Sequence, residues 1–158
     1  MLAEIPRPST VLVAANGKSK WLNEGAMEQP INVVLKFEQA INSRNADATC
    51  ALLTPDSIFR DSLGNKIEGT DKLRSAWEGY LKMVPDYAIS HSDIFANGEI
   101  VAVFGSAEGT FSKDGTLRRE DFWKMPAAWR AIVKDGKIAR WEVFADNEPI
   151  RAIMRKYK

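Results

Sequence analysis

The stretch FRDSLGNKIEG, residues 59–69, places a carboxylate, Asp61, directly after an apolar run ending Ile58-Phe59. Aimed into a cavity beside a carbon acid, it would be a general base, its protonation set by burial and by charged neighbours such as Arg60 and Lys66. It would serve equally well as a turn residue accepting backbone N–H groups from Ser62-Leu63-Gly64, a common task for aspartate. Both readings stand on the residues alone. His91, the single histidine, lies in YAISHSDIF at the parity of Tyr87, Ile89, Asp93 and Phe95, a mostly apolar face. It is either a second acid or base opposite Asp61 or a structural or interface histidine. One histidine and the lone Cys50, without carboxylates at ligand spacing, are too few for a metal centre.

Glu120, Asp121 and Arg130 are candidates to hold polar substrate groups. Strand alternation sets Arg130 opposite Trp129, so if Trp129 faces a cavity, Arg130 faces away from it. Asp146, just past the last apolar strand, either binds a backbone turn or lines a mouth.

The elements that must position these groups follow from periodicity. Ile31, Val34, Leu35, Phe37 and Ile41 form one helical stripe. Residues 46–53 predict a short second helix stopped by Pro55, and 57–61 a short strand. After the turn SLGNKIEG, Thr70 is the expected N-cap of a third helix carrying Leu73, Trp77, Tyr80 and Leu81 on one face and ending at Pro85. From Tyr87 the period becomes two. Asn97-Gly98 signals a hairpin, and the segments around Phe104, Trp129 and Trp141 form a meander with turns at SKDGT and KDGK. Pro126 predicts an interruption, a bulge or an edge in its strand. Helices first and a long-stranded meander last predict an α+β fold, a cone in which three N-terminal helices pack on a curved antiparallel sheet.

A cone has a mouth, and ligand sites form in concave, apolar places with a few polar groups. Phe37, Phe59, Trp77 and Tyr80 come from the helices and first strand. Trp123, Trp129 and Trp141 come from the meander. These aromatics either shape a pocket or are simply core.

The chain of 158 residues fits one domain, expected at 31–158 behind an extended arm at 1–30 in which Trp21 and Leu22 are candidates to dock on the body or on a partner subunit. Lys and Arg number 22 against 21 Asp and Glu, scattered along the chain, so neither a nucleic acid nor a membrane surface is an expected partner. The apolar run at 11–15 is too short for a signal-peptide core, and the lone cysteine fits a reducing cytoplasm. No GxGxxG or P-loop is present, and no cofactor is expected.

The segment INVVLKFEQAINSRNADATCALLTPDSIFRDSLG, then GTDKLRSAW, then a meander ending KDGKIARWEVFAD, resembles the SnoaL-like and ketosteroid-isomerase-like members of the nuclear transport factor 2-like superfamily over residues 31 to about 150. The resemblance implies a cystatin-like α+β cone, an apolar pocket for a small apolar or aromatic molecule, and a homodimer formed through the outer face of the sheet. The group includes isomerases, cyclases, dehydratases, epoxide hydrolases and proteins with no chemistry.

Asp61 occupies the place of the steroid isomerases' catalytic aspartate, at the end of the first strand before a small turn. Their helix-one tyrosine corresponds to Phe37, and their second oxyanion donor falls near Ala128 or Trp129, of which only Trp129 carries an N–H. Removing one such donor costs on the order of 3 kcal/mol in barrier height, which argues against steroid isomerisation by the familiar route. The acid expected of an epoxide hydrolase on the last strand is Val143 here. The implied activity is a cofactor-independent isomerase, cyclase or dehydratase reaction with Asp61 as base. The alternative is a non-catalytic binding or dimerisation module of the same fold.

Overall fold

The structure, a computed structural model, describes residues 28–158. The expected arm, with Trp21 and Leu22, lies almost wholly outside the described residues.

Helix α1, Pro30–Asn42, starts on a proline whose missing N–H is not needed in a first turn, and it buries Val33, Val34, Phe37 and Ile41. Helix α2, Ala46–Cys50, is capped by Asn45, whose side-chain oxygen accepts the Ala48 N–H at 3.1 Å. It is shorter than the expected 46–53, and strand β1, Leu53–Arg60, correspondingly begins earlier. Pro55 therefore lies within the strand, where the register slips between Leu53 and Ile58 and the ladder asks for no proline N–H. The turn expected after Asp61 contains a short strand, β2, Lys66–Glu68.

Helix α3, Thr70–Met83, is entered through Gly69 at φ +96°, and Gly69 rather than Thr70 holds the N-cap position. Thr70 is the first helical residue, and its hydroxyl donates to the Thr54 carbonyl at 2.9 Å, tying α3 to β1.

Strands β3, Ala88–Asn97, β4, Ile100–Thr110, β5, Phe122–Lys134, and β6, Lys137–Ala145, form the meander. The β5–β6 loop is Asp135-Gly136, both at positive φ (+50° and +72°), as a two-residue hairpin loop matched to strand twist requires. The chain closes with helix α4, Glu148–Arg155, an element the sequence reading did not anticipate.

The sheet order is β2-β1-β6-β5-β4-β3. All neighbours are antiparallel except β1 and β6, which run parallel, so the sheet is mixed and not purely antiparallel as expected. The meander lies between these two strands in sequence and returns the chain to the β1 edge in the direction it left. Pro126 interrupts nothing. The β5–β6 ladder runs only from Ala127 onward, so at Pro126 β5 has a neighbour on one side alone, the local edge that proline tolerates.

Alternation divides the sheet cleanly. Trp123, Met125, Ala127, Trp129, Ala131 and Val133 of β5 are buried against the helices, while Lys124, Pro126 and Arg130 point outward. A bulge between His91 and Asp93 reverses the parity of β3. His91 stays on the helix side, whereas Asp93 and Phe95 turn to the outer face, so they do not share the face that a regular strand would give them. The bulge folds over Gly105: a Cβ there would meet the Ser90 carbonyl oxygen at 1.8 Å.

Candidate functional site

The inner face of the sheet is not filled completely by the helices. A cavity of about 570 Å³ remains between α3, the middle of β4–β6, the end of β1 and α4, a volume in the range of small-molecule sites. Its more buried part includes Tyr87, Trp123 and Met125, and its more exposed part Asp61, Ser62, Leu63, Asn147 and Arg151. Asp61 is the one carboxylate and Arg151 the one cation lining it. A second depression of about 560 Å³, near Asp71, Lys72 and Lys137, is a shallow surface groove.

Asp61 both lines the cavity and serves the turn. It stands in the cavity wall immediately after β1, and its carboxylate organises the turn that follows. Oδ1 accepts the N–H groups of Leu63 and Asn65, each at 2.9 Å, and Oδ2 accepts from Asn65 Nδ2 at 2.8 Å. The Asp61 backbone closes the same turn, donating to the Asn65 carbonyl and accepting from the Gly64 N–H. A carboxylate has about four acceptor positions, so one on Oδ2 remains open. Beside it, Asn147 Nδ2 donates to Ser62 Oγ at 2.6 Å and joins the start of α4 to this turn.

The buried end is aromatic and rich in donors. Tyr80 and Tyr87 meet edge to face at 5.0 Å, with Trp123 6.2 Å from Tyr87 and Trp77 6.4 Å from Tyr80. Burial pushes both phenols well above the usual tyrosine range, so they are neutral O–H groups. Trp123 is only 4% exposed, and its indole N–H has no hydrogen-bond partner among the described residues. A buried, unmatched donor is costly, and such a group commonly marks a place where a ligand or water completes the bonding.

Of the residues singled out in the sequence, Asp61, Phe59, Trp77, Tyr80, Trp123 and Trp141 share this cavity. Phe37 and Trp129 lie one layer behind its wall. Phe37 meets Trp141 edge-on at 5.0 Å, and Trp129 stacks on Trp141 at 6.1 Å, so Trp141 stands between them and the void. His91 is outside the cavity, where its Nδ1 pairs with Glu38 Oε2 of α1 at 2.7 Å. Asp146 is also outside, its Oδ1 accepting the Glu148 N–H at 2.9 Å at the start of α4. Arg130 points to the outer face and pairs with Glu142, while buried Asp121 accepts the Tyr157 hydroxyl.

The sequence reading missed Asn147, Ile150, Arg151 and Met154, because all lie on or beside the unanticipated α4. The signal was present: Ile150, Ile153, Met154 and Tyr157 recur at helical spacing behind Pro149. Among the described residues, no group of three or more His, Cys, Asp or Glu could hold a metal ion, and no helix is long and apolar enough to cross a membrane.

Several solved structures share this architecture. A ketosteroid isomerase-like protein from Catenulispora acidiphila, solved with trimethylamine, is 15% identical with a TM-score of 0.67, over 76% of this chain and 89% of its own. A candidate SnoaL-like polyketide cyclase from Shewanella putrefaciens is 15% identical with a TM-score of 0.69, over 85% and 90%. IdmH, a candidate polyketide cyclase from Streptomyces antibioticus, is 21% identical with a TM-score of 0.67, over 81% and 99%. At such identities the likeness is one of fold. No curated protein is similar enough in sequence to count as a relative. The sequence model of the SnoaL-like domain matches residues 34–141, most of the described chain, and the protein belongs to the SnoaL-like domain family.

Proposed function

We propose that this protein binds an apolar, conjugated carbonyl compound in its cone and that Asp61 acts on it as a general base, in a cofactor-free reaction of isomerase, cyclase or dehydratase type. The observation that carries the reading is an apolar cavity whose single carboxylate, Asp61, stands at one end, with the unmatched Trp123 N–H and the Tyr80 and Tyr87 phenols toward the other. A conjugated ligand lets a proton leave at one end while the charge collects on a carbonyl oxygen at the other. The open Oδ2 position takes the proton, and preorganised neutral donors stabilise the developing oxyanion. These donors would stand in for the ones that the resemblance expects at Phe37 and near Ala128 or Trp129.

A second reading is favoured by the three turn hydrogen bonds to Asp61: ligand binding or dimerisation without chemistry, the carboxylate being structural. In either case we propose a homodimer through the outer sheet face, where Phe95, Phe104 and Phe144 are about half exposed or more. A reducing cytoplasm suits a chain whose one cysteine, Cys50, is buried and free.

Deuterium incorporation into enolisable ketones and β-keto esters in D₂O, read by NMR, tests the reaction. Exchange by the wild type that Asp61→Asn abolishes supports the base. Exchange that survives in the mutant removes it, and its absence from both, with ligand still bound, selects the second reading.

A further inference from the structure

Helix α4 closes one side of the cavity and is firmly docked. Ile150 and Ile153 are buried, Asn147 is bonded to Ser62, and Tyr157 donates to Asp121 from just beyond the helix. On this fixed helix, Arg151 and Arg155 differ in circumstance. Arg155 is occupied by Glu148, the acid at the helix start, through both of its terminal nitrogens. The Arg151 guanidinium makes no ion pair and no hydrogen bond with a described residue; Glu148 is within electrostatic reach of it, but the Glu148 carboxylate is held by Arg155. The one carboxylate in the wall, Asp61, accepts three hydrogen bonds from its own turn and makes no ion pair with Arg151. The cavity thus has neutral donors at its buried end and one unpaired cation at its rim.

From this arrangement we infer that the ligand carries an anionic group, a carboxylate by preference, which pairs with Arg151 while its apolar body fills the cavity. This rests on the ligand-binding reading above and refines it. A guanidinium offers a planar pair of N–H donors that matches a carboxylate in two parallel bonds. The docked helix already holds the Arg151 backbone at the rim, so only the side chain has to be ordered to form them. A cationic ligand would be repelled by Arg151, and a neutral one would leave the guanidinium unused.

Trp77, Trp123 and Trp141 line the cavity, so quenching of tryptophan fluorescence reports occupancy. The probes are anthraquinone-2-carboxylate and the isosteric neutral anthraquinone-2-carboxamide, titrated near neutral pH into wild type, Arg151→Gln and Arg151→Lys. The wild type is expected to favour the carboxylate by about tenfold, or ~1.4 kcal/mol. Arg151→Gln should abolish the preference without weakening the carboxamide, Arg151→Lys should restore part of it, and added salt should shrink it, since the rim is open to solvent. Equal affinities in the wild type, or a preference that survives Arg151→Gln, would overturn the inference and leave the cavity reading intact. If neither probe binds, the cavity reading fails and this inference with it.

Discussion

Glu142 Oε2 lies 2.6 Å from Arg130 Nε on the outer face of the sheet, yet Glu142 is only 2% exposed. Arg60 and Arg140 stand further off, each 3.8 Å from Oε1, so three guanidinium groups screen one carboxylate from water. Arg60 also lies over the Phe144 ring at 5.6 Å. Replacing Glu142 by Gln leaves three clustered cations without a counter-charge. The partial exposure of the arginines lowers the cost below that of a fully buried pair, and a loss of about 1–3 kcal/mol is expected. At about 2–4 °C per kcal/mol for a domain of this size, calorimetry should record a clear fall in melting temperature. An unchanged melting temperature would mean that Glu142 contributes nothing to the face.

The same face bears on assembly. Phe104 and Phe95 meet at 6.4 Å beside this charged cluster and expose much of their surface. If the outer face joins two copies, Phe104→Glu places like charges against each other across a two-fold axis. Sedimentation should then show a shift to monomer, with the fold retained by circular dichroism. A protein already monomeric before the substitution would exclude this interface.

Gly105 should tolerate no side chain. Its Cβ would fall 1.8 Å from the Ser90 carbonyl oxygen and 2.8 Å from His91 Cα, both backbone atoms, so the β3 bulge must move. Gly105→Ala is expected to cost about 2–4 kcal/mol, at the upper end for a single substitution. Denaturant titration measures this directly. Retention of wild-type stability would mean that the bulge slides without cost.

Much of this architecture was legible in the sequence. The period-two alternation of β5, the Asp135-Gly136 turn and the apolar stripe of α1 each express a local rule strong enough to survive folding. Other features depend on distant contacts. Nothing near His91 shows that the strand bulges there; the space for the bulge is supplied by Gly105 on the neighbouring strand. Alternation places Trp129 and Trp141 on the inner face but cannot tell which of them meets a helix and which meets a void. Arg151 was missed because α4 is short and rich in charge, so its few apolar residues read as a tail.

The tyrosines predict alkaline behaviour. Tyr80 and Tyr87 have their phenol pKa raised above the ordinary 10.0 chiefly by burial. A raised pKa in the folded state means that the unfolded chain gives up these protons first, so their contribution to stability is intact below about pH 10 and is lost as the pH rises beyond it. Absorbance near 295 nm should show these two phenols ionising together with unfolding, in one cooperative step. Smooth ionisation in a protein that remains folded would show that water reaches them freely. Tyr87→Phe should remove part of the step.

Asp61 offers the sharpest separation of roles, because asparagine is as good a turn former as aspartate. In Asp61→Asn the side-chain oxygen can still accept the Leu63 and Asn65 N–H groups, and the Asn65 amide can rotate to present its oxygen to the new NH₂. Stability should change by less than about 1 kcal/mol while proton abstraction is lost. Asp61→Ala removes all three acceptor bonds as well and should cost about 1–3 kcal/mol, tempered by the exposure of the turn. Urea denaturation and deuterium exchange on the two variants therefore read different properties of one carboxylate. Stability lost in the alanine variant alone, with exchange lost in both, assigns Asp61 the turn and the chemistry together. Exchange that survives in the asparagine variant leaves it the turn only.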